Sequence, residues 1–310
     1  MKKLIIISGP TAVGKTSISV RLAQMLNGEI ISADSMQVYK GLDIGSAKIT
    51  QQETEGIKHH LIDILEPDQN FDVQIFQKLA GEAIDDISSR GKLPIIVGGT
   101  AFYIQALLYG IDFTEEDHDD SYRKELNEYS EEELFGMLLS IDPEYAESTH
   151  KNNKKRVIRA LEYNHFTGKK FSEYNAAQSE KNAIYDHCYF VLDDSREKIY
   201  EGIEKRVDIM IRGGLIDEVK RLYDMSLPKD CNSRQGIGYK EMFDYLDGKC
   251  TLDEAIENIK KNTRHFAKRQ LTWLRHEDDT IFIRKDEFGY DTERILEYMI
   301  NTIKERIGYE

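Results

Sequence analysis

Cysteine is scarce in this 310-residue sequence, and the three that occur, Cys188, Cys231 and Cys250, are scattered along the chain. They have neither the spacing of a metal site nor the even number expected of a disulfide framework. A reducing environment, the cytoplasm, is therefore the expected location.

A long hydrophobic run is also absent. No stretch reaches the roughly 18 apolar residues of a membrane-spanning helix, so we expect no membrane partner. Near the start only residues 4–7 are apolar before Gly9 and Pro10, which is too short for a signal-peptide core and fits a buried first strand. The length allows either one large domain or a core with a smaller second module, and we expect a monomer.

An excess of positive charge is lacking overall, since the formal net charge is −14. That value argues against a nucleic-acid partner until the distribution is considered. Residues 112–147 hold 14 acidic and two basic side chains, which leaves about −2 for the rest of the chain. Residues 151–159 contain five basic residues and no acid, and residues 260–275 contain six and no acid. Because the local field steers a polyanion, an RNA partner stays open.

The order of segments predicts an α/β fold. KLIIIS, GEIISADS, KLPIIVGGT, HCYFVLDD and TIFIR are short apolar runs that predict strands. Helical periodicity lies between them, and Ser195 and the Thr251–Glu254 pair are typical helix-starting residues. This alternation indicates a parallel, doubly wound sheet with helices on both faces. Residues 112–183 lack strand signals and predict an inserted helical module, which leaves 1–111 and 184–310 as the core.

The clearest motif is GPTAVGKT at residues 9–16, which matches G-x-x-x-x-G-K-[ST] between a predicted strand and a predicted helix. Its backbone N–H groups and the helix N-terminus favour phosphate oxygens. Lys15 would neutralise the terminal phosphate, and the Thr16 hydroxyl would bind Mg²⁺. The core is therefore predicted to be P-loop NTPase-like. The candidate phosphate-binding residues are Gly9, Pro10, Thr11, Ala12, Val13, Gly14, Lys15 and Thr16.

A P-loop protein that hydrolyses nucleotides needs an acidic residue that holds the metal ion. The third predicted strand ends IIVGGT and has no such residue. The second strand leads instead to Asp34, and ligands bind beyond the carboxyl ends of the strands in open α/β sheets. Asp34 is also well suited to cap a short helix over the following residues. On residue type alone the capping role is favoured.

Six segments in order resemble the motifs of the tRNA dimethylallyltransferase family, also called tRNA isopentenylpyrophosphate transferases. They are GPTAVGKT, DSMQVYKGLDIGSAK, HHLIDILEP, PIIVGGTAFY, QGIGYKE and AKRQLTWLR. The resemblance covers nearly the whole chain, and DSMQVYKGLDIG and KRQLTWLR are far more specific than the phosphate loop. One departure is GGTAFY, where Ala101 and Phe102 follow GGT in place of the usual glycine-leucine. The other is KNNKKR, which lacks the usual proline.

The resemblance implies transfer of a dimethylallyl group from its diphosphate to N6 of the adenosine immediately 3′ of the anticodon in tRNA. Because an exocyclic amine is a poor nucleophile, Asp34 would take its proton as the C–N bond forms. The phosphate loop and Mg²⁺ would stabilise the departing diphosphate. Arg206 would either join them or lie on a solvated helix face. Thr100 would reach into the same site and also cap the helix at Ala101.

The resemblance also implies contacts with the tRNA anticodon stem-loop. Gln37 would hydrogen-bond the adenine edge, and Tyr239 would stack on a base. Basic side chains would contact phosphates, whereas Trp273 is expected to pack into the core. The full set of expected tRNA contacts is Asp34, Ser35, Met36, Gln37, Thr100, Arg123, Lys155, Arg156, Arg159, Gln235, Gly236, Gly238, Tyr239, Lys240, Lys268, Arg269, Gln270 and Arg275.

Three other functions compete with this one. A P-loop kinase would use ATP and would need arginines in a mobile lid, whereas residues 112–150 are acidic. A prenyltransferase acting on free adenine nucleotides would not need the basic residues at 260–275. A non-catalytic RNA-binding module would leave the phosphate loop and Asp34 without a purpose. A metal site at His59 and His60 is not expected, since adjacent side chains of a strand point to opposite faces.

Overall fold

The computed structural model describes residues 1–113, 120–177 and 182–309. Its strands are β1 (Lys3–Ser8), β2 (Gly28–Ser32), β3 (His59–His60), β4 (Leu93–Val97), β5 (Asp186–Asp193) and β6 (Thr280–Arg284). They form an all-parallel sheet in the order β3-β2-β4-β1-β5-β6. The predicted parallel sheet is confirmed, and β3 adds a two-residue edge strand that is too short to give a periodic signal.

The described residues also form helices, numbered here in chain order. They are α1 (Lys15–Met25), α2 (Val73–Ser89), α3 (Ala101–Tyr109), α4 (Asp120–Glu128), α5 (Glu131–Ile141), α6 (Pro143–Ser148), α7 (Lys154–Thr167), α8 (Phe171–Ala177), α9 (Arg196–Arg212), α10 (Leu215–Asp224), α11 (Asn232–Gln235), α12 (Tyr239–Leu246), α13 (Leu252–Leu274) and α14 (Thr292–Ile307).

The chain divides into two compact units. The first consists of Met1–Leu108 and Ile184–Glu310 and contains the whole sheet, whereas the second is Tyr109–Ala183 and contains α4 to α8. The second unit has a hydrophobic core of its own, with Leu134 and Leu138 of α5 against Val157 and Leu161 of α7. The sequence prediction placed this helical module at residues 112–183.

Both faces of the sheet are buried, which explains why its strands are continuous apolar runs rather than alternating ones. Side chains alternate between the faces along each strand. Ile5 and Ile7 of β1 pack in one cluster with α1 and α14. The intervening Leu4 and Ile6 are also fully buried, and α2 packs on β2 and β4.

Helix starts follow the predicted capping residues. The Ser195 hydroxyl accepts a hydrogen bond from the Lys198 N–H at 3.3 Å, directly before α9. Thr251 and Glu254 form a reciprocal capping box at the start of α13. Because the capping residue itself is not helical, each helix begins one residue later than its cap.

A buried carboxylate links the inner strand β2 to the C-terminal end of α2. Glu29 is 2% exposed and accepts hydrogen bonds from both terminal nitrogens of Arg90, at 2.6 and 2.7 Å. The Lys92 ammonium and the His60 ring lie 2.8 Å from it. These partners hold the pKa of Glu29 far below its ordinary value, with the Arg90 hydrogen bonds as the largest cause. Glu29, His60 and Asp86 lie close enough to resemble metal ligands, but the cations already occupy the Glu29 carboxylate.

Glu29→Gln is expected to lower the free energy of unfolding by about 2 kcal/mol at pH 7, because it removes charge-assisted hydrogen bonds. The depressed pKa makes this contribution complete above the unfolded value of 4.5 and removes it as pH falls further. The difference between the two proteins should therefore shrink below that pH. Urea unfolding at several pH values measures it, with Glu82→Gln on the exposed side of α2 as the control. A difference that is constant with pH would contradict the prediction.

Candidate active site

The phosphate loop, residues 9–16, connects β1 to α1 at the carboxyl edge of the sheet. Gly9 has a φ of +144°, and a Cβ there would lie 2.4 Å from the Leu192 carbonyl oxygen, so only glycine fits. The Lys15 ammonium donates hydrogen bonds to the carbonyl oxygens of Gly9 at 2.9 Å and Pro10 at 2.8 Å. Burial, and then the nearby Arg206 guanidinium, lower the pKa of Lys15 to about 7.

A cavity of about 260 Å³ lies against this loop. The loop side of its lining consists of Thr11, Ala12, Gly14, Lys15 and Thr16. The predicted phosphate-binding set therefore divides. Gly9 and Pro10 contact the Lys15 ammonium through their carbonyls, and Val13 is buried beneath the loop. These three support the loop, and the other five line the cavity.

A second, larger cavity of about 500 Å³ adjoins the first. The two share Thr11, Asp34, Gly99, Arg206, Phe266 and Gln270 as lining residues. Much of the larger wall is apolar, with Phe71, Tyr103, Val207, Met210, Ile237 and Ile259. Besides the shared Asp34 and Gln270, the expected tRNA contacts that line it are Ser35, Met36, Thr100, Gln235, Gly236, Lys240 and Arg269. A polar compartment therefore opens into a larger, partly apolar one.

Asp34 lines both cavities. Its Oδ1 accepts hydrogen bonds from the backbone N–H groups of Met36 at 2.9 Å and Gln37 at 3.3 Å. The capping interaction is thus present, although the segment forms turns rather than a helix. Oδ2 receives no hydrogen bond from the described part of the chain, so capping leaves one carboxylate oxygen for the cavities.

Arg206 reaches the same junction from α9. Its Nη2 donates to the Ser46 carbonyl oxygen at 3.5 Å. Burial lowers the pKa of Arg206, and the Asp34 carboxylate opposes that shift. Arg206 and Lys15 therefore bring two basic side chains to the polar compartment that contains the Asp34 carboxylate.

Thr100 lies at the end of the loop that follows β4 and lines the larger cavity. Its N–H donates to the Ala33 carbonyl oxygen at 3.3 Å, and its own carbonyl accepts from the Tyr103 N–H at the start of α3. A Cβ at Gly98 would lie 2.1 Å from the Ala33 oxygen. This glycine allows the loops after β2 and β4 to meet, which places Thr100 beside Asp34 in the lining.

Glu218, a buried acid that the sequence analysis did not single out, holds the backbone just before Ser46 in the wall of the larger cavity. Glu218 on α10 is 1% exposed and accepts hydrogen bonds from the N–H groups of Asp43, Ile44 and Gly45, at 2.9, 2.8 and 3.0 Å. The Tyr239 hydroxyl donates to it as well, at 2.8 Å. Its burial could have been predicted from its position, because Glu218 falls within the apolar stripe of α10 formed by Leu215, Val219 and Leu222.

Glu218→Gln is expected to lower the free energy of unfolding by about 2–3 kcal/mol, because the amide nitrogen cannot accept hydrogen bonds from the buried donors that face it. Urea unfolding measures this effect. The matched control is Asp217→Asn, an exposed neighbour on α10 that should change little. Equal, small effects of the two substitutions would show that Glu218 does not hold the loop.

Four expected tRNA contacts are buried or engaged inside the protein. The Tyr239 ring is fully buried and offers no face for a base, so the predicted stacking role is wrong for this structure. Gln270 is 5% exposed, and its amide binds the Thr11 N–H and the Gly99 carbonyl instead of facing solvent. The Gln37 amide donates to the carbonyl oxygens of Ser46 and Ala47, at 3.3 and 3.4 Å. Gly238 is likewise buried, directly before α12.

The basic stretch of α13 is partly neutralised. Lys260 pairs with Asp208 at 2.8 Å and Arg264 with Glu204 at 3.2 Å, both acids lying on α9. Lys268 is exposed and, within the described residues, forms no ion pair. Arg269 is exposed beside the larger cavity, and Arg275 lies 3.9 Å from Asp193. Lys261 is exposed as well, so the cations of this helix that have no ion pair among the described residues are Lys261, Lys268 and Arg269.

In the second unit, Lys155, Arg156 and Arg159 are exposed on α7. Arg123 behaves differently, because its Nε and Nη2 both donate to the buried Glu162 carboxylate at 2.7 Å. The guanidinium therefore has a structural partner inside its own unit.

Trp273 is more exposed than expected, at 38%. Its ring meets the equally exposed Phe102 edge to face, with centroids 6.1 Å apart, and its Nε1 donates to Glu277. The prediction that Trp273 packs in the core is wrong, because this position lies on the solvent side of α13.

None of the described helices combines the length and the apolar character needed to cross a bilayer. The sheet order, the phosphate loop and the paired cavities define a P-loop protein with a polar compartment that opens into a larger one. The IPP transferase family profile matches residues 37–277, more than half of the chain. The chain belongs to this family, and the predicted resemblance is confirmed.

Individual proteins give the same result. The chain is 50% identical, over 99% of both sequences, to a tRNA dimethylallyltransferase of Lachnoclostridium phytofermentans. Among solved structures it resembles the full-length tRNA isopentenylpyrophosphate transferase of Bacillus halodurans, with 45% identity, a TM-score of 0.75 and coverage of 99% and 98% of the two chains. A eukaryotic dimethylallyltransferase acting on tRNA gives a TM-score of 0.87 at 32% identity, covering 99% of this chain and 80% of the other.

Proposed function

We propose that this enzyme transfers a dimethylallyl group from dimethylallyl diphosphate to N6 of the adenosine immediately 3′ of the anticodon in tRNA, releasing diphosphate. The observation that carries the proposal is the position of Asp34. It lines both the phosphate-loop cavity and the larger, partly apolar cavity, so one carboxylate faces both substrate compartments.

The smaller cavity supplies what a departing diphosphate needs. Loop N–H groups, the Lys15 ammonium and the Arg206 guanidinium can offset negative charge as the C–O bond breaks. The donor set also fits Mg²⁺, since this ion keeps several waters and takes few protein oxygens. Thr16 would hold it together with the substrate phosphates, and the bound ion would neutralise part of the diphosphate charge.

The larger cavity suits the acceptor base and the hydrocarbon chain. The adenine must leave its stack to reach Asp34, and Thr100 lines the path beside it. As the amine nitrogen attacks the allylic carbon, the bond to the diphosphate oxygen breaks and Asp34 accepts the amine proton. The products are the N6-substituted adenosine, diphosphate and a protonated Asp34, which returns its proton to water.

A direct assay tests the proposal. Purified protein with Mg²⁺ and labelled dimethylallyl diphosphate should label tRNA that carries adenosine immediately 3′ of the anticodon. The same tRNA with guanosine at that position is the control and should stay unlabelled. Labelling of AMP as fast as tRNA would favour the alternative acceptor, a free adenine nucleotide, and ATP consumption would favour a kinase.

The exposed Lys268 on α13 should contribute to the tRNA affinity through phosphate contacts. Lys268→Ala is expected to reduce the salt dependence of tRNA binding by about one unit of log Kd per log salt, because one counterion fewer is released. Titrations at several KCl concentrations measure the slope. Lys304→Ala, an exposed lysine on α14, is the control. An unchanged slope would remove Lys268 from the interface.

The module residues Lys155, Arg156 and Arg159 are proposed to add phosphate contacts of the same kind, since they are exposed and basic. Arg123 is proposed as a weaker contributor, because Glu162 already holds its guanidinium. A monomeric state and a cytoplasmic location stay predictions from the sequence.

A further inference from the structure

We infer that Gln270 is a positioning residue of the diphosphate site rather than an RNA contact. In this role its side chain holds the phosphate loop against the loop between β4 and α3. The inference rests on the proposed function for the identity of the substrate, but its geometric part does not.

The contacts of the Gln270 amide are two-sided. Its Oε1 accepts a hydrogen bond from the Thr11 N–H at 2.9 Å, and its Nε2 donates to the Gly99 carbonyl oxygen at 2.9 Å. Thr11 belongs to the phosphate loop and Gly99 to the loop after β4, so one side chain of α13 bridges two loops. Both Thr11 and Gly99 line both cavities.

The site is shaped to admit this amide. A Cβ at Gly99 would lie 2.1 Å from the Gln270 Nε2, so glycine at this position makes room for the side chain. Gln270 is 5% exposed, and both polar atoms of its amide bond to the two loops rather than to solvent. A primary amide is required because the bridge needs one acceptor and one donor on the same planar group.

The position of Gln270 on α13 separates it from its basic neighbours. Lys268 and Arg269 are exposed, whereas Ala267, Gln270 and Leu274 form the buried side of the helix. Since residues three and four apart share a helix face, this spacing places Gln270 toward the loops. Lys268 and Arg269 are therefore placed to contact RNA, whereas the adjacent Gln270 contacts the two loops of the diphosphate site.

Two substitutions test this division without touching the catalytic groups. Gln270→Leu removes both hydrogen bonds while keeping a buried side chain of similar size. Gly99→Ala leaves Gln270 in place but displaces its amide. Each should weaken binding of inorganic pyrophosphate with Mg²⁺ by about tenfold, the change expected when a pair of buried polar groups loses its partners. The KM for dimethylallyl diphosphate should rise in parallel, and tRNA affinity should stay within about twofold.

Lys268→Ala is the matched control, and the opposite pattern is expected of it: weaker tRNA binding with unchanged pyrophosphate binding. Calorimetry with pyrophosphate and a fluorescence titration with tRNA, each on the intact protein, provide the two affinities, and thermal unfolding reports folding. Loss of tRNA affinity in Gln270→Leu with normal pyrophosphate binding would overturn the inference, as would normal binding of both ligands. If Gln270→Leu fails to fold, Gly99→Ala decides alone.

The outcome is separable from that of the proposed function. If the wild-type protein fails to label tRNA but loses pyrophosphate affinity in both variants, the positioning role stands and the proposed function fails. If labelling succeeds and pyrophosphate affinity is unchanged in the variants, the proposed function stands and the positioning role is wrong.

Discussion

Asp34→Asn is expected to lower the single-turnover rate of dimethylallyl transfer to tRNA by about 10²- to 10⁴-fold, because the amide cannot accept the amine proton. The substitution is nearly isosteric and keeps an oxygen for the N–H groups of Met36 and Gln37. The turn should therefore persist, and binding of pyrophosphate and tRNA should stay near wild type. A rapid-quench assay with excess enzyme measures the chemical step apart from product release.

The control for this prediction is Asp43→Asn, which removes an exposed carboxylate from the same connecting segment, outside both cavities. A rate within about threefold of wild type is expected for it. If Asp34→Asn also retains its rate, Asp34 is not the base. If the rate falls only because tRNA no longer binds, Asp34 acts in recognition and its carboxylate takes no part in proton transfer.

Lys15→Met is expected to reduce kcat/KM for dimethylallyl diphosphate by about 10²- to 10³-fold, because it removes a cation where negative charge develops on the leaving group. The methionine side chain approximates the aliphatic part of lysine, so the buried position stays filled. Pyrophosphate affinity should fall as well, while tRNA affinity should not change. Steady-state kinetics and calorimetry measure these effects.

A lysine that contacts the phosphate loop from outside the cavities provides the control for that experiment. Lys285 donates to the Val13 carbonyl oxygen at 3.2 Å but lines neither cavity. Lys285→Met should therefore change kcat/KM much less than Lys15→Met. Similar losses in both variants would indicate that general positive charge around the loop matters more than the ammonium inside the cavity.

Most of the fold could be predicted from hydrophobic periodicity and from the sequence context of the motifs. The five long strands and the helix starts at Ser195 and Thr251 follow from local rules, because apolar runs and capping residues act over a few positions. The phosphate loop was also predictable, since its motif includes its own strand and helix. No apolar run marked β3: the argument from opposite faces took His59 and His60 as strand residues, but only pairing with β2 defines that strand.

The direction of individual side chains was less predictable. A motif names its residues but does not say which face of a helix each occupies, and Tyr239 and Gln270 turned out to be internal. For Gln270 the helical spacing to Ala267 and Leu274 held the answer. For Lys260 and Arg264 it did not, since their acidic partners lie on α9, more than 50 residues away in the sequence.

Because the Glu218 carboxylate binds the backbone N–H groups of residues 43–45, the conformation of that loop depends on α10. Gly45 takes part too, because a Cβ there would lie 2.6 Å from the Tyr239 ring. A change in any one of these three residues alters the environment of the other two, so their effects are not independent. Gly45, Glu218 and Tyr239 therefore behave as one structural unit, and the loss of any member changes the shape of this wall of the larger cavity.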